Sequence, residues 1–329
     1  LLDKADVAQA LDWAPLVEAL EAMFRSGCEA PVRHHHQIEV PNAQPATLLL
    51  MPAWTSGGYI GVKIANVFPG NSAAGLPAVS SSYLLCSATT GQVLAVLDGG
   101  ELTPRRTAAA SALAARYLAR SDASRLLIVG TGQVATHLAF AHAAQRPIRQ
   151  IEVWGRTEAN AGTLVRKLRD HGLEATVASD LRHAVGNADI ISCATLSATP
   201  LVFGDWLSPG SHLDLVGGFT PAMREADDAA VTRSSVFVDT RAGALAEAGD
   251  IVSPIRNGVL DPDLIHADLH ELTRGQHPGR TDPAEITFFK SVGTALEDLA
   301  AGILVYEQHK LGQQPSTQAQ ADHALSSPA

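Results

Sequence analysis

Residues 126–157 commit this chain to a parallel sheet. Leu126–Val129 is an apolar run of strand length, and Gly130-Thr131-Gly132-Gln133-Val134-Ala135 follows without a break. An Ala/Leu-rich helical segment leads to a second apolar run, Ile151–Trp154. Strand, glycine turn, helix and strand within about 30 residues form the βαβ unit that seats the pyrophosphate of a dinucleotide. Gly130 permits the tight turn. Gly132 lets backbone N–H groups approach a phosphate at a helix N-terminus, where the dipole favours an anion. Ala135 stands where close helix–strand packing requires Gly or Ala.

The end of the second strand bears on the cofactor. An acid there would take the ribose 2′-hydroxyl of NAD, whereas an arginine accommodates a 2′-phosphate. The chain reads Trp154-Gly155-Arg156-Thr157, with no acid. Arg156 offers a planar fork and Thr157 a hydroxyl, so the expectation is NADPH, with NADH as the lesser possibility.

Composition narrows the partners. A formal charge of −10 and an isoelectric point near 5.7 argue against broad nucleic-acid binding. Cys28, Cys86 and Cys193 are widely spaced, which predicts a reducing, cytoplasmic setting without a disulfide framework. No apolar stretch reaches the ~18 residues of a membrane span, and no signal-peptide pattern opens the chain. Residues 313–329 are Gln/Ser/Ala/Pro-rich and predict a flexible tail.

Along the rest of the chain, Lys4–Ala10 and Ala14–Arg25 read as helices. Strand-length runs follow at Thr47–Met51, Tyr59–Phe68, Ser82–Cys86 and Val93–Leu97, punctuated by Pro, Gly and Asn as in an antiparallel sheet. Thr103-Pro104 predicts a helix start, with Thr as cap, running to about Arg120. Beyond Arg125 strands alternate with helices, so the expected parallel order is 3-2-1-4-5-6. Ala284–His309 reads as one long amphipathic helix returning to the first part of the chain. The fold class expected is α/β, a Rossmann domain (121–289) inserted into an α+β substrate and dimerisation domain (1–120 plus 290–312).

Several residues could carry chemistry. On the strand Tyr59–Asn66, alternation puts Gly61, Lys63 and Ala65 on one face, so Lys63 sits recessed between small neighbours. Desolvation would lower its pKa toward neutrality, as acid–base work requires; a lysine on a wet sheet face is the alternative. Arg105 and Arg106 fall in the first turn of the predicted helix, where the dipole disfavours cations. A substrate carboxylate in a bidentate fork would compensate one of them. Arg33 precedes His34-His35-His36, whose side chains alternate along a strand and do not converge on a metal. Asp227-Asp228 reads as a helix start, Cys193 as core, and Gly217-Gly218 as a strand-end turn at the cofactor crevice.

Taken in order, PVR at Arg33, LLMPAW around Met51, VKIANVFPGN around Lys63 and VLAVLDGGELTPRRTAAASALAARYL through Arg106 form a specific series. GTGQVA, WGRT, FGDWLSPGSHLDLVG, the EAGD of Glu247–Asp250 and FFKSVG at Lys290–Gly293 extend it. The chain thereby resembles the ornithine cyclodeaminase/mu-crystallin family from Leu1 to about Lys310. The resemblance implies a homodimer that pairs sheets across a two-fold axis. It also implies that Arg33 and Arg106 hold a substrate carboxylate and that Lys63 lies beside the reacting C–N centre. Gly130, Thr131, Gly132, Gln133, Arg156, Thr157, Thr195, Leu196, Val216 and Ser291 would line the cofactor, with Val134 and Gly155 in the same two turns.

Two positions depart from the cyclodeaminase pattern. Leu49-Leu50 stand where cyclodeaminases place a Glu, and Phe219 stands where they place an Asp. The expectation is therefore an NADPH-dependent reductase of cyclic ketimine carboxylates. NAD-dependent ornithine cyclodeamination or an alanine dehydrogenase-type reaction comes second. A non-catalytic, NADPH-linked binder of a hydrophobic carboxylate, of mu-crystallin type, comes third.

Overall fold

Two sheets of opposite character divide the chain. The computed structural model describes residues 1–313, less the side chains of 72–74 and 313. The expected tail lies outside the described residues, apart from Gln313.

Helices α1 (Lys4–Ala10) and α2 (Trp13–Ser26) precede a five-stranded antiparallel meander. Its strands are β1 (His34–Ile38), β2 (Ala46–Trp54), β3 (Tyr59–Val67), β4 (Val79–Ser87) and β5 (Val93–Asp98), hydrogen-bonded in chain order. Leu16, Val17, Leu20 and Phe24 of α2 are buried at helical spacing, as the sequence pattern requires.

Helix α3 (Gly99–Leu118) starts earlier than Thr103. Asp98, not Thr103, caps it, accepting a hydrogen bond from the Glu101 N–H at 2.7 Å. Gly99 is required at that start, because a Cβ there would stand 2.6 Å from the Ser81 backbone. Pro104 is thus inside the helix, and Arg105 and Arg106 lie beyond its first turn. The dipole argument for a bound anion at Arg106 does not hold.

The second sheet is parallel and eight-stranded. Strand β6 (Arg125–Val129) leads to α4 (Gln133–Gln145), β7 (Gln150–Trp154), α5 (Glu158–Asp170), β8 (Ala175–Val177), α6 (Leu181–Asn187), β9 (Ile190–Cys193) and β10 (His212–Leu215). Then come α7 (Asp228–Thr232), β11 (Ser235–Val238), α8 (Arg241–Glu247), α9 (Gly249–Arg256), β12 (Ala267–Asp268), α10 (Leu269–Thr273), β13 (Thr287–Lys290) and α11 (Ala295–Gln313). The strand order is β12-β11-β13-β10-β9-β6-β7-β8.

Strands β8-β7-β6-β9-β10 reproduce the expected 3-2-1-4-5, but the sixth place belongs to β13, the last strand among the described residues, with β11 outside it. Residues 287–290 are therefore strand, not part of a helix from Ala284 to His309. Both faces of β13 are covered, so Phe288 and Phe289 are both wholly buried and no alternation marks the strand. Helix α11 packs on α2, α3 and β3, returning the chain to the antiparallel sheet. One core continues from Leu16, Leu20 and Phe24 through the alanines of α3 to Leu126 and Ile128.

Candidate active site

Strand β3 buries Gly61, Lys63 and Ala65 on one face, as alternation predicts, and packs against α11. Lys63 is 3% exposed. Its Nζ lies 2.7 Å from Asp298 Oδ2. Burial, and then the Arg106 guanidinium, push the ammonium down to about 8, against the pull of Asp298.

Arg106 projects from α3 onto the same carboxylate. Its Nε donates to Asp298 Oδ1 at 2.8 Å and its Nη1 to Glu297 Oε2 at 2.5 Å. The compensating anions for Arg106 are thus two acids in the first turn of α11, a position the helix dipole favours. Burial opposes ionisation of Asp298, but Arg106 and Lys63 hold its carboxyl below the usual range. Glu297 is pushed up to about 7, chiefly by burial. Its Oε1 is buried without a hydrogen-bond partner.

Arg33, half-buried, reaches across to the Gly293 carbonyl at 2.6 Å and to Glu247 Oε2 at 3.2 Å. The Gly293 turn is fixed from beneath by Asp239, whose Oδ2 accepts from the Val292 and Gly293 N–H groups at 2.8 and 2.7 Å. Gly293 has φ +78°, and a Cβ there would meet Arg106 Nη1 at 2.4 Å, so only glycine fits.

These side chains open on a cavity of about 340 Å³. Lys63, Arg33 and Arg106 form its charged end. Leu49, Met51, Ala65, Val67 and Val79 form an apolar wall, and the strand-end segments at Thr195-Leu196 and Val216-Gly217 face them. Leu49 lies on this wall, and Phe219 lines the cavity 41% exposed.

Of the residues expected to hold a cofactor, Gln133, Val134, Thr195, Leu196, Val216 and Ser291 line the same cavity. Gly130, Thr131, Gly132, Gly155, Arg156 and Thr157 do not line it; they form the turns after β6 and β7. Arg156 and Thr157 are exposed. Gly130 has φ +123°, and a Cβ on it would strike the Ala194 carbonyl at 2.6 Å. At Gly132, the cap of α4, a Cβ would meet nothing within 4 Å. The open space over that helix end fits a dinucleotide pyrophosphate.

Glu225 ties two of the strand ends together. It accepts from the Thr195 N–H and Oγ1 at 2.6 and 2.7 Å and from the Gly217 N–H at 2.7 Å. Burial pushes its carboxyl up to about 7. Asp250 in turn accepts from the Glu225 N–H at 2.8 Å and lies 3.4 Å from Lys290 Nζ.

Sequence reasoning missed Glu297, Asp298, Glu225 and Asp239. The signal for the first two was available, since ALEDLAAGILV holds adjacent acids in an otherwise apolar stretch. The remaining expectations fall away from the cavity. His34, His35 and His36 lie on β1, exposed. Asp227 caps α7, and Cys193 is buried core. Among the described residues no helix is long and apolar enough to cross a membrane.

The profile of the ornithine cyclodeaminase/mu-crystallin family matches residues 1–313. A Δ1-pyrroline-2-carboxylate reductase of Paracoccus denitrificans is 39% identical over 301 residues, covering 91% of this chain and 93% of that protein. The structure of the Thermococcus litoralis Δ1-pyrroline-2-carboxylate reductase in complex with NADH and L-proline superposes with a TM-score of 0.89. Identity there is 33%, over 96% of this chain and 99% of that one. An archaeal alanine dehydrogenase dimer with bound NAD superposes at 0.87, with 30% identity over 96% of this chain and 97% of that one.

Proposed function

The chain belongs to the ornithine cyclodeaminase/mu-crystallin family, and from that premise we propose that it is an NAD(P)H-dependent reductase of cyclic ketimine carboxylates. Its substrates are Δ1-pyrroline-2-carboxylate or Δ1-piperideine-2-carboxylate, and its products L-proline or L-pipecolate. The observation that carries this reading is a buried Lys63 flanked by Arg33 and Arg106 at one end of a cavity whose far wall is made of parallel-strand ends.

A bound nicotinamide supplies the hydride for the C=N carbon. The chain supplies the rest. Arg33 and Arg106 hold the substrate carboxylate, and Lys63 gives a proton from Nζ to the imine nitrogen as the C=N bond becomes CH–NH. Glu297 is poised near neutrality, so protonating it leaves the subsite one positive charge richer, which suits a monoanion. The apolar wall at Leu49 offers nothing to a second amino group, which counts against ornithine as substrate.

Arg156 and Thr157 support a preference for NADPH, although the relatives above hold NADH or NAD. The half-exposed face of the antiparallel sheet, with Ile60, Val62 and Ile64 on β3, supports a homodimer formed by sheet pairing. Oxidation of NADPH at 340 nm with both ketimines tests the function; no turnover above a Lys63→Ala control rejects it. Arg156→Ala is expected to cut the NADPH/NADH ratio of kcat/KM about tenfold, the loss of one charge-assisted contact.

A further inference from the structure

One turn of α11 meets two other elements at a single point. Asp298 Oδ1 accepts from Arg106 Nε on α3, and its Oδ2 pairs with Lys63 Nζ on β3. The same guanidinium is gripped from its other end by Glu297. Both acids are wholly buried, so water cannot stand in for either partner. Lys63 and Arg106 are cations on different elements that would repel one another in a dry site, and the shared carboxylate holds them together.

We propose that Asp298 is a positioning residue: it fixes the proton-donating Lys63 to the carboxylate-binding Arg106, and its negative charge keeps the Lys63 ammonium protonated in a dry site. The proposal rests on the function read above. It accounts for a wholly buried carboxylate in the first turn of α11. It also ties substrate recognition to proton delivery, because movement of either cation strains its bond to the same carboxylate. Arg106 spends Nε and Nη1 on the two acids, which leaves Nη2 as the nitrogen without an acid partner for substrate.

The groups that set the charge of Lys63 are Arg33 ahead of β1, Arg106 on α3 and Asp298 on α11; Glu297 faces Arg106 from the same turn of α11, and the Tyr83 phenol on β4 is close to Asp298. Of these, Asp298 favours the protonated amine, whereas burial, Arg106 and Arg33 oppose it. Neutralising Asp298 therefore moves Lys63 titration to lower pH.

The test uses the full chain and two readouts. The first is the pH dependence of acetic anhydride labelling at Lys63, followed by mass spectrometry, which requires no substrate. The second is the alkaline limb of kcat/KM for ketimine reduction. In Asp298→Asn, which keeps shape and loses charge, the labelling midpoint is expected to fall by about one pH unit or more, with the alkaline limb following it. The rate at pH 7 is expected to fall ~100-fold, within the span of acid–base catalysis.

Asp298→Glu keeps the charge but displaces it. Its labelling midpoint should stay near that of the unaltered protein, while kcat falls about tenfold, the cost of a misplaced donor. If Asp298→Asn fails to fold, the Asp298→Glu pair of readouts decides alone. A midpoint unmoved in Asp298→Asn, or one that falls in Asp298→Glu, overturns the proposal. An unaltered protein that reduces neither ketimine, yet shows the Asp298-dependent midpoint, sinks the function while retaining the role of Asp298 toward Lys63.

Discussion

Helix α3 carries a residue of each of two buried polar clusters, and the two are built on opposite terms. Toward one end, Arg106 joins Lys63, Glu297 and Asp298 beside the cavity. Five residues on, Ser111 donates to Asp214 Oδ1 at 2.9 Å, in a cluster closed on every side. There Ser192 Oγ donates to Asp214 Oδ2, His142 Nε2 lies 3.4 Å from the same oxygen, and His212 Nδ1 lies 2.9 Å from Thr287 Oγ1. Ser111, His142, Ser192, His212, Asp214 and Thr287 are all wholly buried. The closed cluster spends its one carboxylate on neutral donors and a histidine. The open cluster crowds Arg106 and Lys63 against two acids and leaves Lys63 weakly basic. Hydrogen bonds among neutral donors and Asp214 tie helix to sheet in the first, with His142 Nδ1 and His212 Nε2 left unpartnered, whereas charge crowding leaves a weakly basic amine in the second.

The contrast breaks most sharply at Lys63. Lys63→Ala is expected to lose ~10³-fold in kcat/KM, about 4 kcal/mol of barrier, without lowering the melting temperature. Asp214→Ala should do the reverse, costing about 3–5 kcal/mol of stability in urea titrations with kcat per folded molecule retained. A lowered melting temperature in the first, or a lost kcat in the second, would erase the distinction.

Acid and alkali should separate the clusters too. Lys63, held at about 8, loses its proton as pH rises, so the rate should fall about tenfold per unit above that point. His212 is pushed down to about 3, chiefly by burial, and stays neutral in the folded protein where the unfolded chain protonates near 6.5. The unfolded state thus binds the extra proton, and stability should decline from about pH 6.5 toward 3. Urea titrations at pH 4 and 7 check this, and His212→Gln should flatten the decline. The smallest effect is expected at Ser111→Ala, about 1–3 kcal/mol from one hydrogen bond to a charged acceptor, read by the same titration.

How far the sequence showed these things depends on whether the deciding interaction was local. The glycine turn after β6 and the alternation around Lys63 are local, and the structure has both as expected. The start of α3 was misread because Thr103-Pro104 is a good local cap, while the real start depends on Asp98 and on Gly99 packing against Ser81, a strand away. Strand β13 was misread because a short apolar run covered on both faces has no period to distinguish it from helix. Glu297 and Asp298 were missed because their partners are remote in sequence, with 192 positions separating Arg106 from Asp298.

Because α11 brings those acids back across 192 positions from Arg106 to Asp298, the buried cluster cannot form until synthesis has passed that helix. The strands from β6 to β10 and the antiparallel meander can each gather local contacts while synthesis continues, but Lys63 and Arg106 wait for α11 to dock. In refolding from urea, turnover should therefore return with the slowest phase, after most helical signal has recovered. Cutting the chain ahead of Ala295 would leave both cations without their anions.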